Sequence, residues 1–305
     1  MKSLYLLFFC FAFFISCNSP QKYLNDAIDI MEKESLRKDS IDWITFREEV
    51  LSKGMNATII EETYLAIRYA LDQLGDKHSF LFTVKMQNKV FDDNNSLPFI
   101  RKELINSNIA YINIPSFMGN EKQAVEFAQN LQNIIEEFDS VELKGWIFDL
   151  RENYGGNMWP MLLGLGTVWE NETLGYFADL DNNFTNWIYS NGSVYLGKDS
   201  IMTLSKTFEL NNYNKKFAIL IGSKTASSGE AVTIAFKGNS NTKFFGQNTK
   251  GLSTSNEGFE LDDGSILILT TTILADRKMN VYGVPVKPDY LSLKAKEDAI
   301  KWIEN

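Results

Sequence analysis

The stretch Phe217-Ala218-Ile219-Leu220-Ile221-Gly222-Ser223-Lys224-Thr225-Ala226-Ser227-Ser228-Gly229-Glu230 decides how the rest of the chain is read. Residues 217–221 are apolar without alternation, the pattern of a strand buried on both faces of its sheet. A turn rich in Gly and Ser follows, and a helix is expected over Ala231 to Phe236. A serine on such a turn is held out of the sheet beside backbone N–H groups that no helical bond uses. Those N–H groups suit a developing oxyanion. On this segment alone, a simple helix cap at Ser227 or Ser228 is the favoured reading.

The same grammar recurs upstream. Gly145-Trp146-Ile147-Phe148-Asp149-Leu150 reads as a second fully buried strand, running into Arg151-Glu152-Asn153-Tyr154-Gly155-Gly156. Two adjacent glycines let the backbone approach a ligand closely and aim an N–H at it. Neither phosphate-binding glycine pattern is present and no Lys follows the pair, so an oxyanion hole fits better than a phosphate cradle. Ile109 to Ile114 is expected as a strand, and Ala124, Phe127, Leu131, Ile134, Ile135 and Phe138 mark the buried stripe of the next helix. Residues 172–210, rich in Tyr, Phe and Trp, read as hairpins that could flap over the site, with Trp159, Trp169, Phe177, Phe184 and Trp187 as candidate groove residues. Ser265 to Ala275 is a further strand and Lys294 to Glu304 a closing helix. Alternating strands and helices define an α/β layer fold whose sites collect where strands end and helices begin.

Ahead of this core, residues 21–75 read as helices. Ile60, Tyr64, Ile67, Leu71 and Leu74 share one helical face that Gly75 ends, and Trp43, Phe46, Val50 and Leu51 mark a shorter helix ending near Gly54. Residues 86–97 are mostly polar and are expected as a linker. Met1-Lys2-Ser3 and the apolar run Leu4 to Ile15 form a signal peptide, too short to span a bilayer. Phe14-Ile15-Ser16-Cys17 resembles a bacterial lipobox, which makes Cys17 the expected lipidation site and membrane anchor. The expected division is a signal over 1–17, a helical domain over 18–85 and an α/β core over 86–305.

Composition narrows the function classes. With 44% apolar residues and 13% aromatics, the chain can fill a sizeable core. A net charge of -9 leaves no basic face to displace counterions from nucleic acid. Both cysteines, Cys10 and Cys17, lie in the signal segment, so the mature chain has no disulfide to lean on. His78, in Leu74-Gly75-Asp76-Lys77-His78-Ser79, is the single histidine, which argues against a His-rich metal site. It is also the natural candidate to activate a serine, because its pKa lies close to working pH.

Jointly, Gly75-Asp76-Lys77-His78-Ser79, Asp149-Leu150-Arg151-Glu152-Asn153-Tyr154-Gly155-Gly156, Thr225-Ala226-Ser227-Ser228-Gly229-Glu230 and Val286-Lys287-Pro288-Asp289 resemble the ordered signature blocks of the tricorn and C-terminal-processing (tail-specific) protease family. The resemblance implies a crotonase-like core of stacked strand-strand-helix units behind an N-terminal helical segment. It implies a serine peptidase acting on peptides or protein tails in the cell envelope, with no metal or organic cofactor. Ser227 would be the nucleophile and His78 the base, with Ser79 beside it. The oxyanion hole would use the N–H of Ser228 and one from Gly155 or Gly156.

The chain departs from that family in three places. Tail-specific members use a lysine base, but the matching position is Leu252, with Lys250 close by. Residues 81–108 are too few to fold the PDZ module that those members carry. Where the tricorn-like branch has a supporting Glu, Tyr282 stands, so Asp276, Arg277 and Tyr282 are the polar candidates for orienting the base. An α/β-hydrolase esterase is disfavoured because its histidine follows the serine in the chain. A peptide-binding lipoprotein that keeps the fold without turnover is the alternative from another class.

Overall fold

The computed structural model describes residues 19–139, 142–169, 171–211 and 214–305. The signal segment, with Cys10 and Cys17, lies outside them. The helical lead-in comprises α1 (Pro20–Glu34), α2 (Trp43–Gly54) and α3 (Tyr64–Leu74). Ser19 caps α1 by accepting the Lys22 N–H, and Asp42 caps α2 through the N–H groups of Ile44 and Thr45. The stripe beginning at Ile60 starts as a 3-10 turn, Ile60–Thr63, and becomes α3. Gly75 ends α3 at φ 73°, where a Cβ would be penalised.

Then come β1 (Phe80–Phe82), α4 (Val84–Val90), β2 (Lys102–Ile105), β3 (Ile109–Asn113), α5 (Glu121–Asp139), β4 (Gly145–Asp149) and α6 (Met158–Gly164). The meander β5 (Glu172–Ala178), β6 (Phe184–Ser190), β7 (Ser193–Leu196) and β8 (Asp199–Thr203) follows. The chain continues through β9 (Lys216–Ile221), α7 (Ser228–Ala235), β10 (Thr242–Gly246), β11 (Thr254–Glu260), β12 (Ile266–Ala275), β13 (Tyr290–Leu291) and α8 (Ala295–Glu304). The expected linker over 86–97 is therefore partly helical. Thr83 caps α4, and Gln87 Nε2 donates to the carbonyls of Phe82 and Gly264 at 3.1 and 2.8 Å. Since α4 buries none of its residues, it has no apolar stripe for a sequence reading to find.

One sheet has the order β13-β10-β9-β4-β3-β2, parallel except for the edge strand β2. The unalternating strands have an apolar residue for each face. Trp146, Phe148, Phe217 and Ile219 pack with residues of α5, α6 and α7, whereas Ile147, Ala218 and Leu220 pack with Ala299 and Ile303 of α8. The Phe148 ring stacks between those of Trp146 and Phe217, at 6.0 and 6.3 Å. The second sheet is antiparallel, β1-β12-β5-β6-β7-β8, with β11 also paired to β12.

The helical lead-in is built into this second sheet. Tyr23, Leu24, Ile28, Ile67 and Leu71 share one cluster with Leu81 of β1 and Leu261, Leu267 and Leu269 of the β11–β12 hairpin. Residues 81–108 hold β1, α4 and β2, so that segment joins the two sheets. The hairpin turn is tied to the helices by Asp263, which accepts from Tyr23 Oη at 2.8 Å and from Tyr64 Oη. Replacing Asp263 by Ala leaves Tyr23 without its acceptor and Tyr64 with only the Ser265 hydroxyl, at 3.2 Å. We expect an unfolding free energy lower by about 1–3 kcal/mol in a urea titration, still as one transition. A separate early transition of the helices would show that they do not share the sheet's core.

Candidate active site

β4 and β9 are neighbours in parallel register, Asp149 opposite Leu220, so the two turns that leave their C-terminal ends lie side by side. Hydrogen bonds sew those turns together. Leu150 N–H donates to Leu220 O at 2.8 Å, Thr225 Oγ1 to Leu150 O at 2.8 Å, and Ala226 N–H to Asn153 O at 3.0 Å. Ser227, held at the start of α7, has φ 52° and ψ -118°. A non-glycine residue in that region costs on the order of 1–3 kcal/mol and persists only where its surroundings impose it. Here Glu230 supplies part of the restraint. Its buried carboxylate accepts the Ser227 N–H at 3.0 Å, Thr249 Oγ1 at 2.5 Å and the Gly251 N–H at 2.9 Å. Burial pushes the Glu230 pKa up, and those hydrogen bonds pull against it.

The neighbouring turn presents the glycine pair. Gly155 and Gly156 have φ 106° and 113°. A Cβ on Gly155 would sit 2.8 Å from Ser227 Cβ, and one on Gly156 would sit 2.0 Å from the Phe117 carbonyl oxygen, so neither position has room for a side chain. Buried Asn153 braces the turn, donating to the carbonyls of Ile114 and Pro115 and accepting the Gly155 N–H at 3.0 Å. That bond occupies the Gly155 donor and leaves Gly156, together with Ser228 at the first position of α7, as the N–H pair available for an oxyanion. The Ser228 hydroxyl donates to Gly156 O at 2.6 Å and clamps the two turns.

His78 arrives from the other sheet, on the loop between α3 and β1. Its Nε2 lies 2.9 Å from Ser227 Oγ and its Nδ1 2.7 Å from Thr254 Oγ1. Asp76 shapes the loop by accepting the N–H groups of His78 and Ser79, each at 2.8 Å, and the Ser79 hydroxyl at 2.6 Å. Ser79 Oγ in turn accepts the Thr270 N–H at 2.9 Å, so Ser79 fastens the loop to β12 and has no hydrogen bond to the dyad.

Sequence reasoning put Asp276, Arg277 or Tyr282 behind the base, and the structure places all of them elsewhere. Asp276 closes its own turn through the N–H groups of Lys278 and Asn280, and Tyr282 Oη donates to it at 3.2 Å. Arg277 pairs with Glu172 and donates to Ala235 O. Lys250 gives a backbone N–H to Thr225 O at 2.8 Å and has an exposed side chain, while His78 holds the hydrogen-bond position on Ser227. Thr254, Asn153 and Glu230 were not singled out for their roles. Glu230 alone carried a signal, three residues after a capping serine.

A cleft of about 990 Å³ opens beside the dyad. Trp159 and Phe177 line it, as do Leu180 and Asp181 from the β5–β6 turn. Trp169 and Trp187 are fully buried in the core, and Phe184 packs on Tyr176, so only part of the expected aromatic groove exists. Burial holds the His78 pKa below its ordinary value, against an opposing pull from the Asp76 carboxylate. That shift favours the neutral ring, the form that proton abstraction requires.

These features accompany a clear kinship. The sequence model of peptidase family S41 matches residues 108–292, and the chain belongs to that family of serine peptidases, which hydrolyse peptide bonds. It is 31% identical to the nisin-resistance protein of Lactococcus lactis subsp. lactis, over 99% of this chain and 92% of that protein. The carboxy-terminal processing protease CtpA of Bacillus subtilis (strain 168) is 29% identical over 56% of this chain and 32% of its own. Among solved structures, a lipoprotein from Streptococcus agalactiae matches with a TM-score of 0.78 and 28% identity over 99% of both chains. The photosystem II D1 C-terminal processing protease shares the crotonase-like fold, with a TM-score of 0.62 at 15% identity over 90% of this chain and 93% of its own.

Two predictions follow from the geometry. Gly156→Ala must displace the glycine turn from Phe117 and, if that turn supplies an oxyanion donor, should lower kcat by about 10²-fold or more, read in a peptide-cleavage assay. For His78, the unfolded chain binds its proton more readily than the folded one, so stability falls as pH drops below about 6.5. His78→Gln should flatten that part of the urea-midpoint profile against pH.

Proposed function

We propose that the chain is an envelope-anchored peptidase that cleaves peptides through an acyl-enzyme on Ser227. One observation carries the reading: an imidazole nitrogen 2.9 Å from the hydroxyl of a serine on a strained turn. Ser227 Oγ attacks the scissile carbonyl carbon as its proton passes to His78 Nε2. The carbonyl oxygen becomes an oxyanion facing the N–H groups of Gly156 and Ser228. The C–N bond then breaks, and His78 returns the proton to the leaving amine. Water repeats the sequence on the acyl-enzyme, giving its proton to Nε2 and releasing the carboxylate product and free Ser227.

The anchor would be a lipid on Cys17, a reading supported by the likeness to a solved lipoprotein. Among the described residues no helix is long and apolar enough to cross a membrane. Cationic peptides are the favoured substrates. Glu34, Asp179, Asp181 and Glu257 line the cleft against Lys38 and Lys77, and the whole chain carries a net charge of -9. The relative named for resistance to nisin fits a role in peptide defence at the cell surface.

The test is intact-mass spectrometry of residues 18–305 after exposure to a fluorophosphonate, beside cleavage of a panel of cationic and anionic peptides. A single adduct is expected that is absent from Ser227→Ala, and that variant should lose on the order of 10⁴ to 10⁶-fold in turnover. Undiminished cleavage by Ser227→Ala would refute the nucleophile. Peptide binding with neither adduct nor cleavage would make the chain a silent binder.

A further inference from the structure

We propose that Thr254 is the positioning residue of the dyad: its hydroxyl, in the place where a carboxylate would stand, accepts the Nδ1 proton of His78 and leaves Nε2 free to take the proton of Ser227. The inference rests on the reading of Ser227 and His78 as nucleophile and base. Thr254, on the wall of the cleft, would act on Ser227 through the ring.

The first observation is the ring's surroundings. His78 lies between two hydroxyls, Thr254 at 2.7 Å and Ser227 at 2.9 Å. A neutral imidazole carries one proton, so one of these contacts must be donated by the ring and the other accepted. Ser227 can serve as nucleophile only if it is the donor, which assigns the ring proton to Nδ1 and makes Thr254 its acceptor. A proton on Nε2 would instead make Ser227 the acceptor and leave no ring nitrogen to take the serine proton.

The second observation is that β11 is built to hold that acceptor still. Thr254 opens the strand in register with Ile273 of β12. Further along, Asn256 Nδ2 donates to the His78 carbonyl at 3.0 Å, and its Oδ1 accepts from Thr270 Oγ1 at 2.9 Å. One strand thus grips the ring of His78 through Thr254 and its main chain through Asn256.

The third observation concerns three carboxylates, Asp76, Asp276 and Glu230, each of which is committed elsewhere. Asp76 spends its oxygens on the N–H groups of His78 and Ser79 and on the Ser79 hydroxyl. Asp276 closes the turn at the end of β12. Glu230 holds Ser227 N–H and the loop around Gly251. Lys77 on the same loop and Glu257 on β11 line the cleft, and among these charges it is Asp76 that acts on the ring. A threonine oxygen supplies direction without a full negative charge. The ring is aimed, but its protonated form gains less than it would beside a carboxylate.

His78 is the only histidine of the chain, so its ring nitrogens give one unambiguous pair of signals in ¹⁵N NMR. The probe is the soluble chain labelled with ¹⁵N-histidine, compared as wild type, Thr254→Ser and Thr254→Val above pH 7. Wild type and Thr254→Ser should show a protonated Nδ1 and a bare Nε2. Thr254→Val, which keeps the shape and removes the hydroxyl, should lose that preference. Its kcat should fall about 10–100-fold with KM little changed, and Thr254→Ser should stay within a few-fold of wild type. If Thr254→Val does not fold, Thr254→Ala carries the same comparison. An unchanged tautomer without the hydroxyl, or equal losses in the serine and valine variants, would overturn the proposal. The tautomer is read in unreacted protein, so it stands apart from the test of Ser227: failure of the nucleophile would appear as a missing Ser227-dependent adduct whatever the NMR showed.

Discussion

The lateral pairing of β4 with β9 is the contact on which the candidate site depends. Parallel strands send their C-terminal ends the same way, and the register of Asp149 with Leu220 sets the glycine turn and the serine turn at one level. The bonds between Leu150, Leu220, Thr225, Asn153 and Ala226 then leave little freedom to either turn. The apolar composition of both strands serves the same end. With Trp146, Phe148 and Phe217 packed on one face and Ile147, Ala218 and Leu220 on the other, neither strand can slip by one residue without exchanging its faces.

His78 comes from a separate part of the architecture. α1 to α3 rest on the β11–β12 hairpin, β1 adds to β12, and the loop carrying His78 spans the interval between α3 and β1. The distance from His78 to Ser227 is therefore set by how the helix-covered sheet meets the parallel sheet. Thr254 and Asn256 belong to the helix-covered side and hold the histidine, while Glu230 and Asn153 belong to the other and hold the serine and the glycines.

What could be read in the chain alone were the features written into local sequence. Ser227, the Gly155-Gly156 pair and the strands before them stand out because buried parallel strands lack alternation and tight turns need particular residues. His78 stands out by being single. Thr254 was illegible, since a threonine opening a strand is ordinary and its role exists only once β11 lies beside a loop 176 residues away in sequence. Asp276 and Tyr282 were candidates because Tyr282 stands where the tricorn-like branch has its Glu, but that correspondence does not disclose that Asp276 turns back onto Lys278 and Asn280. α4 escaped because a helix that buries nothing looks like a polar connector.

The contact between His78 and Ser227 joins positions 149 residues apart, on loops next to strands of different sheets. Closing so long a segment is entropically unfavourable until the intervening core is in place. A nascent or unfolded copy thus carries a serine with no partner and a glycine turn with no shape. Hydrolysis through this pair therefore requires the long-range fold and not the local segments alone.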